Sequence, residues 1–186
     1  MRFAVIGSGN IVEKFISAAR TCEGFELYAV CSRTKERAEA FAAQQGAKVA
    51  FWNLEDLAAC KEVEAVYVAS PNYAHCAQSI AMMKAGKHVL CEKPMATTPE
   101  DCERMVATAK EMGKYLMIGQ NQRLAKAHVK AKELLDSGEM GEVLAFETHF
   151  IHPGPEGWTG SANSWFFDKK TAAFGAMADL GVHKTD

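Results

Sequence analysis

The sequence predicts a doubly wound α/β fold, a parallel sheet covered by helices on both faces, followed by the start of an α+β unit. Three observations predict it. Apolar runs of strand length alternate with helical segments from Phe3 to Ile118, and short strands joined through helices lie parallel. The first run closes on the glycine turn Gly7-Ser8-Gly9 and leads straight into a helical stretch. Beyond residue 120 the alternation gives way to a helix, one alternating run and a Gly/Pro/Trp-rich stretch.

Strands are readable at Phe3–Ile6, Leu27–Cys31, Val49–Phe51, Ala65–Ala69, His88–Cys91 and Tyr115–Ile118. Between them, Asn10–Arg20, Lys35–Gln45, His75–Lys84 and Glu100–Met112 read as helices, most with apolar residues three and four apart. Thr34 and Thr98 stand where N-caps belong, and Pro99 occupies a first helical position. Gly46, Gly86 and Gly113 each end a helix before a strand, as C-terminal caps do. Residues 1 to about 120 therefore read as one nucleotide-binding domain of the Rossmann type. In residues 121–186, Leu124–Ser137 reads as a helix and Val143–Phe150 as a half-exposed strand. A loop then runs from His152 to about Lys170, and a last helix begins at Ala172. One strand makes no sheet, so this region is expected to be the beginning of a truncated second domain.

Composition narrows the function. The chain has 186 residues, 48% hydrophobic and 24% charged, as an ordinary globular protein with a real core has. Its net charge of −2 is spread evenly and offers no attraction to nucleic acid or an anionic membrane. The apolar stretches are too short to span a bilayer, and because Met1-Arg2-Phe3 runs directly into the first strand, no signal peptide is expected. Cys22, Cys31, Cys60, Cys76, Cys91 and Cys102 form no Cys-x-x-Cys pair. Reduced, mostly buried thiols in a cytoplasmic protein are expected.

Candidate site residues cluster at strand ends. Gly7, Ser8 and Gly9 let the backbone approach a pyrophosphate, and Asn10 and Ile11 open the helix whose N-terminus would face it. Val12 occupies the third fingerprint position, where Gly or Ala is usual. The second strand ends in Ser32-Arg33 where an NAD-selecting enzyme places a carboxylate. A hydroxyl beside a guanidinium suits a 2′-phosphate, so NADP(H) is favoured over NAD(H). Ser70-Pro71-Asn72 and His75 follow the fourth strand, and Glu92-Lys93-Pro94 ends the fifth. There the Lys93 charge is placed to stabilise an alkoxide or polarise a carbonyl. Asp179 and His183 are four apart on the last helix and share a face, where the carboxylate orients an imidazole for proton transfer. Each of these has a plainer reading as a turn, a helix cap or a solvated charge. Trp158, Trp165, His149 and His152 are candidates for a substrate wall. His149-x-x-His152 lacks a third ligand, and no metal site is expected.

The order of these motifs, together with Gly119-Gln120-Asn121-Gln122-Arg123, resembles the Gfo/Idh/MocA oxidoreductases, the glucose–fructose oxidoreductase and inositol dehydrogenase group. The resemblance covers the whole chain but only about the first half of a family member. It implies NAD(P)-dependent hydride transfer at a hydroxyl or carbonyl carbon of a sugar, polyol or diol. It further implies that Lys93 contacts the reacting oxygen, that His183 moves its proton with Asp179 assisting, and that Asn121 and Arg123 line the cofactor or interdomain cleft. A cis Lys93–Pro94 bond and a homo-oligomer assembled through the second-domain sheet belong to the same expectation. Departures are Val12, Leu124-Ala125-Lys126 after the arginine, and Ala172-Ala173-Phe174-Gly175 before the last helix, where Phe174 would reshape the substrate pocket. An active enzyme, a catalytically incompetent nucleotide-binding module and a fragment of a longer enzyme all remain open.

Overall fold

The computed structural model describes residues 1–151, 154, 156, 167–172 and 175–186. Six strands, β1 (Arg2–Ile6), β2 (Glu26–Cys31), β3 (Val49–Phe51), β4 (Ala65–Val68), β5 (His88–Cys91) and β6 (Leu116–Ile118), form one sheet in the order β3-β2-β1-β4-β5-β6. Every pairing is parallel. The order reverses between β1 and β4, and ligands of such sheets bind outside the strand carboxyl ends at that point.

The helices follow the sequence pattern closely: α1 (Asn10–Ala19), α2 (Lys35–Gln45), α3 (Leu54–Ala59), α4 (His75–Lys84) and α5 (Pro99–Met112). Thr34 accepts the Arg37 N–H and Thr98 the Asp101 N–H, while Gly46 and Gly113 end their helices in the left-handed conformation. The sequence reading passed over α3, whose six residues carry too little periodicity. Its cap was legible, since Asn53 accepts the Asp56 N–H at 2.8 Å.

Alternate residues along each strand enter opposite cores. Ala4, Ile6, Val66, Val68 and Cys91 pack with Leu57, Met82, Met83 and Met105 from α3, α4 and α5. Val5, Val30 and Tyr67 pack on the other face with Val12, Ile16 and Phe41 from α1 and α2. Val12 is fully buried there, so the larger side chain at the fingerprint's third position is absorbed into the core.

Beyond the sheet, a 3-10 turn (Asn121–Leu124) leads into α6 (Lys126–Asp136). Residues 143–150 are described but form no strand, contrary to the sequence expectation. No strand of the described residues lies beside them to bond their backbone, and an isolated strand is not stable in water. The last helix is π-helical at Met177–Gly181 and runs directly into α8 (Val182–Thr185), with α7 (Lys169–Ala172) upstream. All six cysteines are free, with Cys31, Cys76 and Cys91 buried. Among the described residues, no helix is long and apolar enough to cross a membrane.

Candidate active site

Parallel strands bring their carboxyl ends to one edge, so residues far apart in sequence meet there. The turn after β1 requires glycine at position 7. Its φ is +118°, and a Cβ would stand 2.5 Å from the Ala69 carbonyl oxygen at the end of β4. Across the edge, a cleft of about 440 Å³ is lined by residues of α1, of the turns after β4 and β5, and of the segments around Asp179 and His183.

The turn after β5 is held in place by buried polar groups. The Tyr67 hydroxyl donates to Glu92 Oε1 at 2.6 Å, and the Lys93 N–H donates to Glu92 Oε2 at 3.2 Å. Burial, then the neighbouring Glu92 carboxylate, pushes the Tyr67 phenol far above its usual range. Gly119 backs this carboxylate, since a Cβ there would approach Glu92 Oε1 to 3.1 Å. The Lys93–Pro94 peptide is cis.

Lys93 and Asp179 meet inside the cleft. Lys93 Nζ donates to Asp179 Oδ1 at 2.7 Å and to the Asp179 carbonyl oxygen at 2.9 Å, with both side chains 18% exposed. Asp179 is thus committed to Lys93 and not, as the helical spacing suggested, to His183. His183 lines the same cleft, and among the described residues its buried Nδ1 has no hydrogen-bond partner. Burial, then the charge on Lys93, lowers its pKa below the ordinary histidine value. A neutral imidazole in the cleft can take a proton from a substrate hydroxyl.

The remaining candidates separate into groups. Asn10, Ile11, Ser70, Asn72, His75, Glu92 and Asn121 line the cleft with Lys93. Within it, Ser70 donates to Gln78 at 2.6 Å and the Asn72 amide donates to the Ala172 carbonyl at 3.3 Å. Pro71 sits between them, immediately before the 3-10 turn at Asn72–Ala74. Ser8, Gly9, Ser32 and Arg33 stand at the neighbouring ends of β1 and β2. Arg123, expected in the cleft, instead forks onto Asp186, its Nε donating at 2.9 Å. His149 is exposed and 3.0 Å from Glu147, outside the cleft. Trp158, Trp165, His152 and Phe174 lie outside the described residues.

Three lining or neighbouring residues escaped the sequence reading. Phe150 lines the cleft, its ring 6.3 Å from that of His183, and Lys14 lines it from α1, one helical turn beyond Asn10. Arg37, in the first turn of α2, reaches across to the Ser8 hydroxyl at 3.4 Å. For Lys14, its i+4 offset from Asn10 on α1 was the available signal.

Residues 1–120 match the family model described as an oxidoreductase family with an NAD-binding Rossmann fold, and residues 128–186 match a GFO/IDH/MocA C-terminal domain. The chain belongs to the GFO/IDH/MocA oxidoreductase family. Within that family it is 32% identical over its full length to the 1,5-anhydro-D-fructose reductase of Ensifer adhaerens, of which it covers 54%. It is 46% identical to the scyllo-inositol 2-dehydrogenase (NADP(+)) of Bacillus subtilis over 63% of the chain and 36% of that enzyme. An NAD-binding oxidoreductase of Klebsiella pneumoniae superposes with a TM-score of 0.82 at 28% identity, covering 100% of this chain and 51% of that one. The chain thus spans about half the length of the relatives that match it end to end.

Proposed function

We propose that this family member is an NADP(H)-preferring oxidoreductase acting on an alcohol or carbonyl carbon of a sugar, polyol or diol. The observation that carries the reading is the Lys93–Asp179 pair at 2.7 Å with His183 in the same cleft, at the carboxyl edge of β4 and β5. When bound, the nicotinamide supplies or accepts the hydride. Lys93 donates a hydrogen bond to the reacting oxygen and stabilises the charge that builds there. Asp179 holds the Lys93 ammonium in line. His183 takes the hydroxyl proton in oxidation and returns it in reduction.

The pyrophosphate is assigned to the Gly7-Ser8-Gly9 turn and the start of α1, where Gly7 lets the backbone approach without a side chain. Ser32 and Arg33, joined by Arg37, support the preference for a 2′-phosphate, because two guanidinium groups attract a dianion that a carboxylate would repel. Relatives named for an anhydro-sugar and a cyclic polyol support the substrate class. The free thiols fit a reducing cytoplasm. Leu144 and Phe146, 88% and 77% exposed, support assembly of the second region into a sheet shared between copies.

Fluorescence titration with NADPH and NADH, followed by a turnover screen against sugars, polyols, diols and their carbonyl counterparts, tests this. Tighter binding of NADPH and turnover in one of these classes are expected. Failure to bind either nucleotide overturns the reading.

A further inference from the structure

His75 opens α4 and is only 1% exposed. Its ring lies between two backbone carbonyls: Nδ1 is 2.8 Å from the Pro94 oxygen and Nε2 is 2.9 Å from the Ser70 oxygen. Both oxygens can only accept, and a neutral imidazole carries a single N–H. The neutral ring therefore bonds one carbonyl and presents a lone pair to the other. Burial lowers its pKa, while the Pro94 and Ser70 carbonyls and Glu92 oppose that and Lys93 adds to it. Ser70 follows β4 and Pro94 follows β5, so the ring is a strut between the two turns that flank the cleft.

The strut completes a frame. On one side of Lys93, Glu92 is gripped by the buried Tyr67 hydroxyl. On the other, the Pro94 carbonyl oxygen lies 2.8 Å from His75 Nδ1. The backbone of Lys93 is thus fixed at both neighbours, which a long, four-carbon side chain needs if its ammonium is to hold one position. We propose that His75 is a positioning residue that fixes the Lys93 turn through the Pro94 carbonyl. This role rests on the reading of Lys93 as the group that meets the reacting oxygen.

Three measurements on the whole chain decide it. Long-range 1H–15N spectra of the wild type locate the imidazole proton. The neutral ring is expected to be protonated at Nδ1, towards Pro94; a ring protonated only at Nε2 overturns the proposal. Next, His75→Asn places an amide N–H near the Nδ1 position, and His75→Gln places one near Nε2. Competitive acetylation, read by mass spectrometry, should then label Lys93 about fivefold faster in His75→Gln, the factor one hydrogen bond commands. In His75→Asn the rate should stay near the wild-type rate. Equal Lys93 labelling in the two variants overturns the proposal. Weaker NADPH binding with unmoved Lys93 labelling does so too, and makes His75 a cofactor contact instead. If the wild type binds no NADPH, the functional reading falls while the labelling pattern still reports on the strut.

Discussion

The Lys93 ammonium lies 2.7 Å from the Asp179 carboxylate, joining the turn after β5 to a π-type turn 86 residues later in the chain. No local rule relates the two, yet their contact sets the orientation of the lysine that β5 delivers to the cleft.

Removing the charge while keeping the shape tests that contact. Asp179→Asn should lower turnover by about tenfold to a hundredfold, the worth of a charge-assisted hydrogen bond of roughly 1.5–3 kcal/mol. NADPH affinity should hold. Lys93→Met and His183→Ala should cost more, on the order of 10²–10⁴-fold each. Steady-state kinetics on a substrate from the screen checks all three, and unchanged rates would remove the assigned roles.

Arg33→Ala should weaken NADPH about tenfold to a hundredfold and leave NADH nearly unchanged, because only the 2′-phosphate loses a partner. Arg37→Ala should follow the same direction by a smaller factor, since Arg37 already leans on Ser8 at 3.4 Å. Parallel titrations with both nucleotides read the difference. Equal loss for NADH would place these arginines elsewhere.

At Gly7 a methyl group has no room. Gly7→Ala combines a positive φ with a Cβ at 2.5 Å from the Ala69 oxygen, and backbone strain alone costs on the order of 1–3 kcal/mol. Thermal unfolding should fall by roughly 5 °C or more, with NADPH binding lost in parallel.

Acid should weaken the fold through its buried histidines. His75 and His183 both have pKa values lowered from 6.5, chiefly by burial. The unfolded chain therefore binds protons that the folded chain refuses, and stability rises with pH across this window. It is fully present above 6.5 and drains as pH falls below it. Urea midpoints at pH 7.5 and pH 5.5 should differ in that sense, and a flat profile would contradict the two shifts.

Amides of Val143–His149 should exchange freely in the isolated chain, whereas those of β1, β4 and β5 should be protected. The former have no neighbouring strand among the described residues; the latter are central in the sheet. Hydrogen exchange by mass spectrometry reads both. Strong protection across 143–149 in the monomer would show a sheet that forms unaided.

Much of this protein is legible along the chain. The six strands, four of the five helices between them, and the caps at Thr34, Thr98, Gly46 and Gly113 follow from apolar spacing and from residues whose backbone preferences are local. The motifs at the strand ends were legible for the same reason: a parallel sheet sends every loop after a strand to one edge, so Gly7, Ser32, Asn72 and Lys93 were placed there by topology alone. What the residues face was not legible. Helical spacing pointed Asp179 at His183, and only packing turned it to Lys93. Arg123 was expected in the cleft and found Asp186; Val143–Phe150 alternates as a strand does but has no strand among the described residues to pair with. Periodicity and capping act over a few residues and survive in the sequence. Ion pairs, ladder partners and the strut at His75 need groups brought together across tens of residues, and those meetings exist only once the sheet has formed.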